Sequence, residues 1–325
     1  MEHVNLGKTG LRVSRLCLGM MSFGPHESRP WALGEEQAEP IVRSAVEGGI
    51  TFFDTADVYN GGQSEVITGR VLRKLLTREE YVLATKVHGQ TMPGENGRGL
   101  GRKHIMASID ASLARLELDY VDLYQIHRFD YSTPVEETME ALHEVVKSGK
   151  ARFIGASSMF AWQFAKAQAV ADAHGWTRFV SMQNHYNLVY REEEREMIPQ
   201  CIDQGVGVLP WSPLARGLLA GNRTRTEKLT VRANTDPFSD GLYKPEADFP
   251  VVERVAEVAA ERGVPSAQLA LAWLWRKPGV TAPIVGATKA QHVEDALAAE
   301  QLELSPEDVA RVEEPYVPHG ISGHE

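Results

Sequence analysis

The stretch Thr51–Asn60, TFFDTADVYN, decides how the rest of the chain is read. It opens as the apolar, aromatic run that a buried strand requires. It turns polar at Asp54, Thr55, Asp57 and Tyr59, where such a strand should end. The pattern predicts a carboxylate, Asp54, at the carboxyl end of a buried strand, with the phenol of Tyr59 in the turn that Gly61 and Gly62 mark. On its own the stretch also fits a plainer role, in which Asp54 satisfies backbone donors and Tyr59 is a surface aromatic.

Outward from it, the chain repeats one rhythm of short apolar strand, polar loop and amphipathic helix. Upstream, Val4 to Leu16 reads as a hairpin around Gly7 and Gly10, followed by a core strand at Leu16–Gly19 and a helix at Glu35–Glu47. Downstream, helices are predicted at Ser64–Leu76, Lys103–Leu116, Val135–Lys147, Ala161–His174 and Glu192–Gln204. Strands are predicted at Tyr81–Val87, Val121–His127, Ala151–Ser157, Phe179–Gln183 and Val206–Ser212. A long loop follows, then helices near Val251–Arg262 and Ser266–Arg276, a strand at Thr281–Gly286 and a helix near Ala290–Ala299. Ser305 caps a last helix that runs to Val312, with Pro306 in its first position.

Counting Leu16–Gly19, eight strands each lead to a helix, and no break in composition marks a linker. The fold class is therefore α/β, a single (β/α)8 TIM barrel over residues 1–325 with an amino-terminal β-hairpin cap and a carboxy-terminal helix. A doubly wound open sheet is the alternative, but no GxGxxG opens a first helix.

Composition narrows the function. The 325 residues carry a formal net charge of −10, which argues against a nucleic-acid or anionic-membrane partner. The two cysteines, Cys17 and Cys201, lie far apart in apolar contexts and suit a reducing compartment. The first residues lack a signal-like apolar run and no stretch is long enough to span a membrane, so a soluble, cytoplasmic protein is expected. No HxH or HExxH occurs, and no metal is expected.

In a barrel the functional groups stand at the carboxyl ends of the strands. Asp54 ends the second strand, Lys86 the third and His127 the fourth, with Tyr59 in the loop between the first two. A phenol of ordinary pKa about 10 is a weak acid at neutral pH. A neighbouring ammonium favours the phenolate, and a carboxylate keeps that ammonium charged. The four groups together describe a tuned general acid beside an imidazole that can donate to a carbonyl oxygen.

This tetrad on a (β/α)8 pattern resembles the aldo-keto reductase superfamily. The resemblance runs nearly end to end through GKTGLRVSRLCLG, GGITFFDTADVY, LATKV, DYVDLYQIHRFD, GKARFIGASS, VSMQNHYN and VLPWSPLARGLL. The wording is most similar to the bacterial branch that includes the YajO-like reductases. The resemblance implies reduction of an aldehyde or ketone, a small-molecule carbonyl substrate, with NADPH as cofactor and Tyr59 as acid. It implies that Ser157, Ser158 and Gln183 hold the nicotinamide carboxamide and that Trp211 stacks on the ring. Ser212, Pro213, Leu214, Arg216 and Gly217 would pass along the pyrophosphate. Gly286, Thr288 and Lys289 would take the 2′-phosphate, with His292 and Asp295 at the adenosine end. Many relatives have asparagine where Ser158 stands, glutamine at His292 and asparagine at Ala296.

Residues 216–232 hold five basic residues and one acidic one, a local cationic stretch. The substrate pocket is expected to be lined by Phe23, Trp31, Val58 and Phe129. Two other readings share the fold: a cofactor-binding regulatory subunit with little turnover, and an enzyme converting a sugar or sugar phosphate.

Overall fold

The computed structural model describes residues 1–27 and 29–324. Strands β1 (His3–Asn5) and β2 (Arg12–Ser14) form an antiparallel hairpin. Eight parallel strands follow: β3 (Cys17–Gly19), β4 (Phe52–Asp54), β5 (Val82–Val87), β6 (Val121–Ile126), β7 (Ala151–Ser157), β8 (Phe179–Gln183), β9 (Gly207–Val208) and β10 (Ile284–Gly286). Their order in the sheet is β10-β3-β4-β5-β6-β7-β8-β9. The two ends of that order are themselves joined: Thr281 N donates to Val208 O at 2.8 Å and Ile284 N to Pro210 O at 2.9 Å.

The helices between strands are α1 (Glu35–Glu47), α2 (Gln63–Leu75), α3 (Arg102–Leu116), α4 (Val135–Lys147), α5 (Ala161–His174) and α6 (Met197–Gln204). Beyond β9 come α7 (Val231–Thr235), α8 (Pro237–Leu242), α9 (Pro245–Glu261) and α10 (Ser266–Arg276). After β10 follow α11 (Ala290–Ala299) and α12 (Pro306–Glu313).

Strand alternation sorts the core into two layers. On β5, Val82 and Ala84 face inward with Cys17, Phe52 and Leu123, while Leu83 and Val87 join the larger cluster between sheet and helices. Leu6 and Val13 of the hairpin belong to the inner cluster, so the hairpin closes the amino-terminal end of the sheet. Lys8 N donates to Gly205 O at 2.8 Å and fixes its tip.

The expected elements and the observed ones differ where local chemistry overrides pattern. Strand β9 covers only Gly207–Val208, because Pro210 has no N–H to offer the ladder; Leu209 N and Trp211 N still bond to Met182 O and Asn184 O. The helix expected from Glu192 is broken into a 3₁₀ turn at Glu192–Glu194 and α6. Glu192 and Glu193 instead reach to the carboxy-terminal segment, where Glu192 accepts from Tyr316 Oη at 2.5 Å and Glu193 meets His324 at 3.2 Å. Helix α9 starts at Pro245, six residues before the expected Val251, and carries Pro250 inside it. Pro250 reads as a breaker in sequence but sits in the second turn, where its missing N–H costs one bond. The last helix agrees with expectation: Ser305 Oγ accepts from Asp308 N at 3.0 Å and Asp308 Oδ2 from Ser305 N at 3.0 Å. Among the described residues no helix is long and apolar enough to cross a membrane.

Candidate active site

The turn after β4 is held at both ends. Thr55 Oγ1 lies 2.9 Å from Ser64 Oγ, which bonds in turn to Met20 O at 2.8 Å. Asn60 Nδ2 donates to Met21 O at 3.0 Å and Phe23 O at 2.8 Å, tying the turn to the loop after β3. Gly62 closes it at φ 89°, and a Cβ there would stand 2.8 Å from Arg115 Cδ. Both its conformation and the close approach of Arg115 require glycine.

Asp54 and Lys86 point into the barrel by strand parity, two residues past the inward Phe52 and Ala84. Lys86 Nζ donates to Asp54 Oδ2 at 2.5 Å, to Thr55 O at 2.7 Å and to Tyr59 Oη at 3.3 Å. Asp54 Oδ1 accepts from Gln125 Nε2 at 3.0 Å and Gln183 Nε2 at 2.9 Å. Lys86 is 0% exposed. Burial alone would lower its pKa, but the Asp54 carboxylate and Tyr59 outweigh that and hold it raised. The His127 ring stands edge-on to Tyr59, centroids 5.6 Å apart. Burial first, then the charge of Lys86, pushes its pKa well down, so the imidazole is neutral. Asp54, Tyr59, Lys86 and His127 are thus brought together.

The residues expected at the nicotinamide divide. Ser157 Oγ is buried with no hydrogen-bond partner among the described residues. Ser158, at φ 35°, already accepts from Trp211 Nε1 at 2.8 Å, and Gln183 is committed to Asp54. Asn184, next to Gln183 and not singled out from sequence, also has an unpartnered buried oxygen, Oδ1. A polar residue just beyond a barrel strand was the available signal. Trp211 stacks by one face on His185 at 4.3 Å, and His185 stacks on Tyr190 at 4.2 Å. The Arg128 guanidinium lies 5.9 Å from the Trp211 ring centre.

The segment after Trp211 turns tightly, with positive φ at Ser212 (51°), Ala215 (48°), Arg216 (55°) and Gly217 (97°), and with Pro213 buried and Leu214 half-buried between them. Its five cations share three carboxylates, so part of the cationic excess remains after pairing. Arg216 pairs with Asp236 at 2.6 Å, Arg223 and Lys228 with Asp240 at 3.3 and 2.8 Å, Arg225 with Glu253 at 2.6 Å, and Arg232 with Asp236 at 3.5 Å. The compensating acids, Asp236, Asp240 and Glu253, all follow Arg232 in the chain.

Thr288 N bonds to His292 Nδ1 at 3.3 Å, and Lys289 is exposed at the N-cap of α11. Gly286 at the end of β10 is exposed as well. Asp295 Oδ1 accepts from Gln268 at 3.2 Å and Gln291 at 3.3 Å, so its polar capacity is directed to neighbouring helix residues.

The four residues expected around the substrate have the following neighbours. Phe23 is 0% exposed and packed in the core. Trp31 lies between two guanidinium groups, Arg29 at 5.2 Å and Arg232 at 4.5 Å. Val58 packs on Gly89, where a Cβ would stand 2.3 Å from its Cγ1. Phe129 turns toward the helix layer, beside Leu100, Met139 and Met159, and its ring meets Tyr131 at 5.1 Å. Strand parity fixes the inward groups up to His127, but Phe129 lies in the loop beyond, where parity no longer applies.

Comparison with known proteins agrees with this geometry. The Aldo/keto reductase family matches residues 15–316. Versiconal hemiacetal acetate reductase of Aspergillus parasiticus is 44% identical over 99% of this chain and 98% of its own length. An aldo-keto reductase of Metarhizium robertsii is 44% identical over 99% of this chain and 93% of its own. A Schizosaccharomyces pombe protein named provisionally as an aryl-alcohol dehydrogenase is 43% identical over 98% and 96%. These three relatives are fungal and lend no support to the bacterial branch suggested by the motif wording. With the match covering most of its length, the chain belongs to the aldo/keto reductase family.

Proposed function

We propose that the protein reduces an aldehyde or ketone to an alcohol with NADPH, using Tyr59 as general acid. The observation that carries this reading is the hydrogen-bonded run from Asp54 through Lys86 Nζ, at 2.5 Å, to Tyr59 Oη, at 3.3 Å. A phenol in that setting gives its proton to the carbonyl oxygen, and the charge of Lys86 offsets the negative charge left behind. His127, neutral, donates one N–H to the same oxygen as charge develops there. Gln125 and Gln183 hold Asp54 in place throughout. Reductase-named relatives support the reaction class.

The cofactor reading is supported by the unpartnered Ser157 Oγ and Asn184 Oδ1, both of which suit a carboxamide at the strand ends. Bound NADPH would supply the hydride that forms the new C–H bond. The Trp211 face opposite His185 would carry its ring. Lys289 is available to a 2′-phosphate, which favours NADPH over NADH. The aryl-alcohol name of one relative favours an aromatic carbonyl as substrate. The buried thiols of Cys17 and Cys201 suit a cytoplasmic setting.

The test is titration of tryptophan fluorescence with NADPH and NADH, followed by absorbance-monitored oxidation of the cofactor with aromatic aldehydes, diketones and sugar aldehydes. Tight NADPH binding with turnover is expected. Binding without turnover would favour the regulatory reading, and absence of binding would refute the cofactor assignment.

A further inference from the structure

Asp57 stands two residues before Tyr59 and is unused by the mechanism above. Its side chain is 2% exposed, and apart from the pull of the neighbouring Val58 amide neither oxygen has a hydrogen-bond partner among the described residues. Its charge is raised in cost by Glu65 on α2 and eased by Arg115 on α3 and Lys86 on β5, and it acts in turn on Tyr124 of β6. The cation that could neutralise it is already engaged: Arg115 Nε donates to Glu65 Oε2 at 2.6 Å, and Arg115 Nη2 to Ser112 Oγ at 3.2 Å. Glu65 completes its own set with Thr85 Oγ1 at 2.5 Å. A second carboxylate in this space would be buried, unpaired and next to a like charge.

The backbone of Asp57 is part of the turn that carries the phenol. Asp57 N donates to Lys86 O at 3.3 Å, and Tyr59 N donates to Ala56 O at 3.1 Å. A displacement of Asp57 therefore acts on both Lys86 and Tyr59, whose contact is only 3.3 Å long. We propose that Asp57 is a positioning residue: its uncharged carboxyl seats the Thr55–Gly62 turn against the helix layer, and loss of its proton draws Tyr59 away from Lys86. The inference rests on the reading of Tyr59 as the acid. Burial, then Glu65, pushes the carboxyl of Asp57 up to about 8, against the pull of Arg115, the Val58 amide and Lys86. The group is thus largely protonated at neutral pH and ionises just above it.

The experiment compares wild type with Asp57→Asn, whose amide is close in shape and cannot ionise. Carboxyl-carbon NMR of aspartate-labelled full-length protein should show one aspartate titrating near pH 8, a signal missing from the variant. At pH 7 the variant should keep kcat/KM within about twofold, and the basic limb of its pH profile should begin at higher pH than in wild type. A basic limb identical in both proteins would overturn the proposal, as would the absence of any aspartate titrating above about pH 6. Should Asp57→Asn fail to fold, wild type decides the matter through the Tyr59 ring-carbon signal, identified by its loss in Tyr59→Phe. A step in that signal at the midpoint of the aspartate supports the inference, and no such step refutes it. The NMR arms need no turnover, so failure of the reductase reading is distinguishable from failure of this one.

Discussion

The mouth of the barrel has two sides built on different principles. On the β4–β6 side, Asp54, Lys86 and Gln125 stand on strands, with register and parity fixing where each points. On the other side, the segment from Ser212 to Tyr243 is held by short helices and ion pairs to acids further along the chain. The first side is set by the backbone ladder of the sheet. The second depends on side-chain ion pairs: Arg216–Asp236 is buried, whereas the exposed Arg225–Glu253 pair contributes about 0–1 kcal/mol. On the proposed function, chemistry would be concentrated on the strand side and binding on the other.

The sharpest test of that contrast is Tyr59→Phe. It should lower kcat/KM by about 10²–10⁴-fold, the range of a lost general acid, and leave NADPH affinity by fluorescence nearly unchanged. Retention of more than about a tenth of the activity would remove Tyr59 from the role given to it.

On the binding side the expected effect is smaller. Lys289→Ala removes one charge-assisted contact worth about 1.5–3 kcal/mol, so NADPH should bind about ten- to a hundredfold more weakly while NADH is hardly affected. Equal losses for both cofactors would take Lys289 away from the 2′-phosphate. Smallest of all should be Arg225→Ala, which breaks the pair with Glu253 between side chains 49% and 55% exposed. Its folding stability, read from thermal unfolding, and its NADPH affinity should change by under about 0.5 kcal/mol. A loss several times larger would mean that the ionic side of the mouth is as strictly organised as the strand side.

The same contrast explains what could be read from sequence. Helices α1, α4 and α5 and strands β7 and β8 have the bounds that periodicity predicts, because each buries one continuous face. The tetrad was legible because a strand end is a fixed place and alternation says which way its residues point. Phe129 was not, since it lies beyond the last ladder bond of its strand and turns to the helix layer. Arg216 reads as a free cation until Asp236, twenty residues on, is seen against it at 2.6 Å. Asn184 was visible only as a letter in a motif. That its Oδ1 is buried without a partner is a property of the folded neighbourhood.

Asp57 also separates stability from rate. Because folding raises its pKa from 3.8 to about 8, the folded state holds a proton that the unfolded chain releases between those values. The stability associated with that proton is complete below about pH 4 and is lost as pH rises to about 8. Asp57→Asn should therefore gain thermal stability over wild type as pH rises through that window, and a pH-independent difference in melting temperature would contradict it.

The bonds around Asp54 carry a consequence for how this protein can change over generations. Lys86 on β5, Gln125 on β6 and Gln183 on β8 all converge on one carboxylate from β4, three amide or ammonium donors on two oxygens. The same contacts that orient the acid also cross the barrel from one wall to the other. On the proposed function, a replacement at any of these four positions would disturb assembly and reactivity at once. Divergence in substrate is left to the loops of the mouth, where a side chain can be exchanged without touching what holds the strands together.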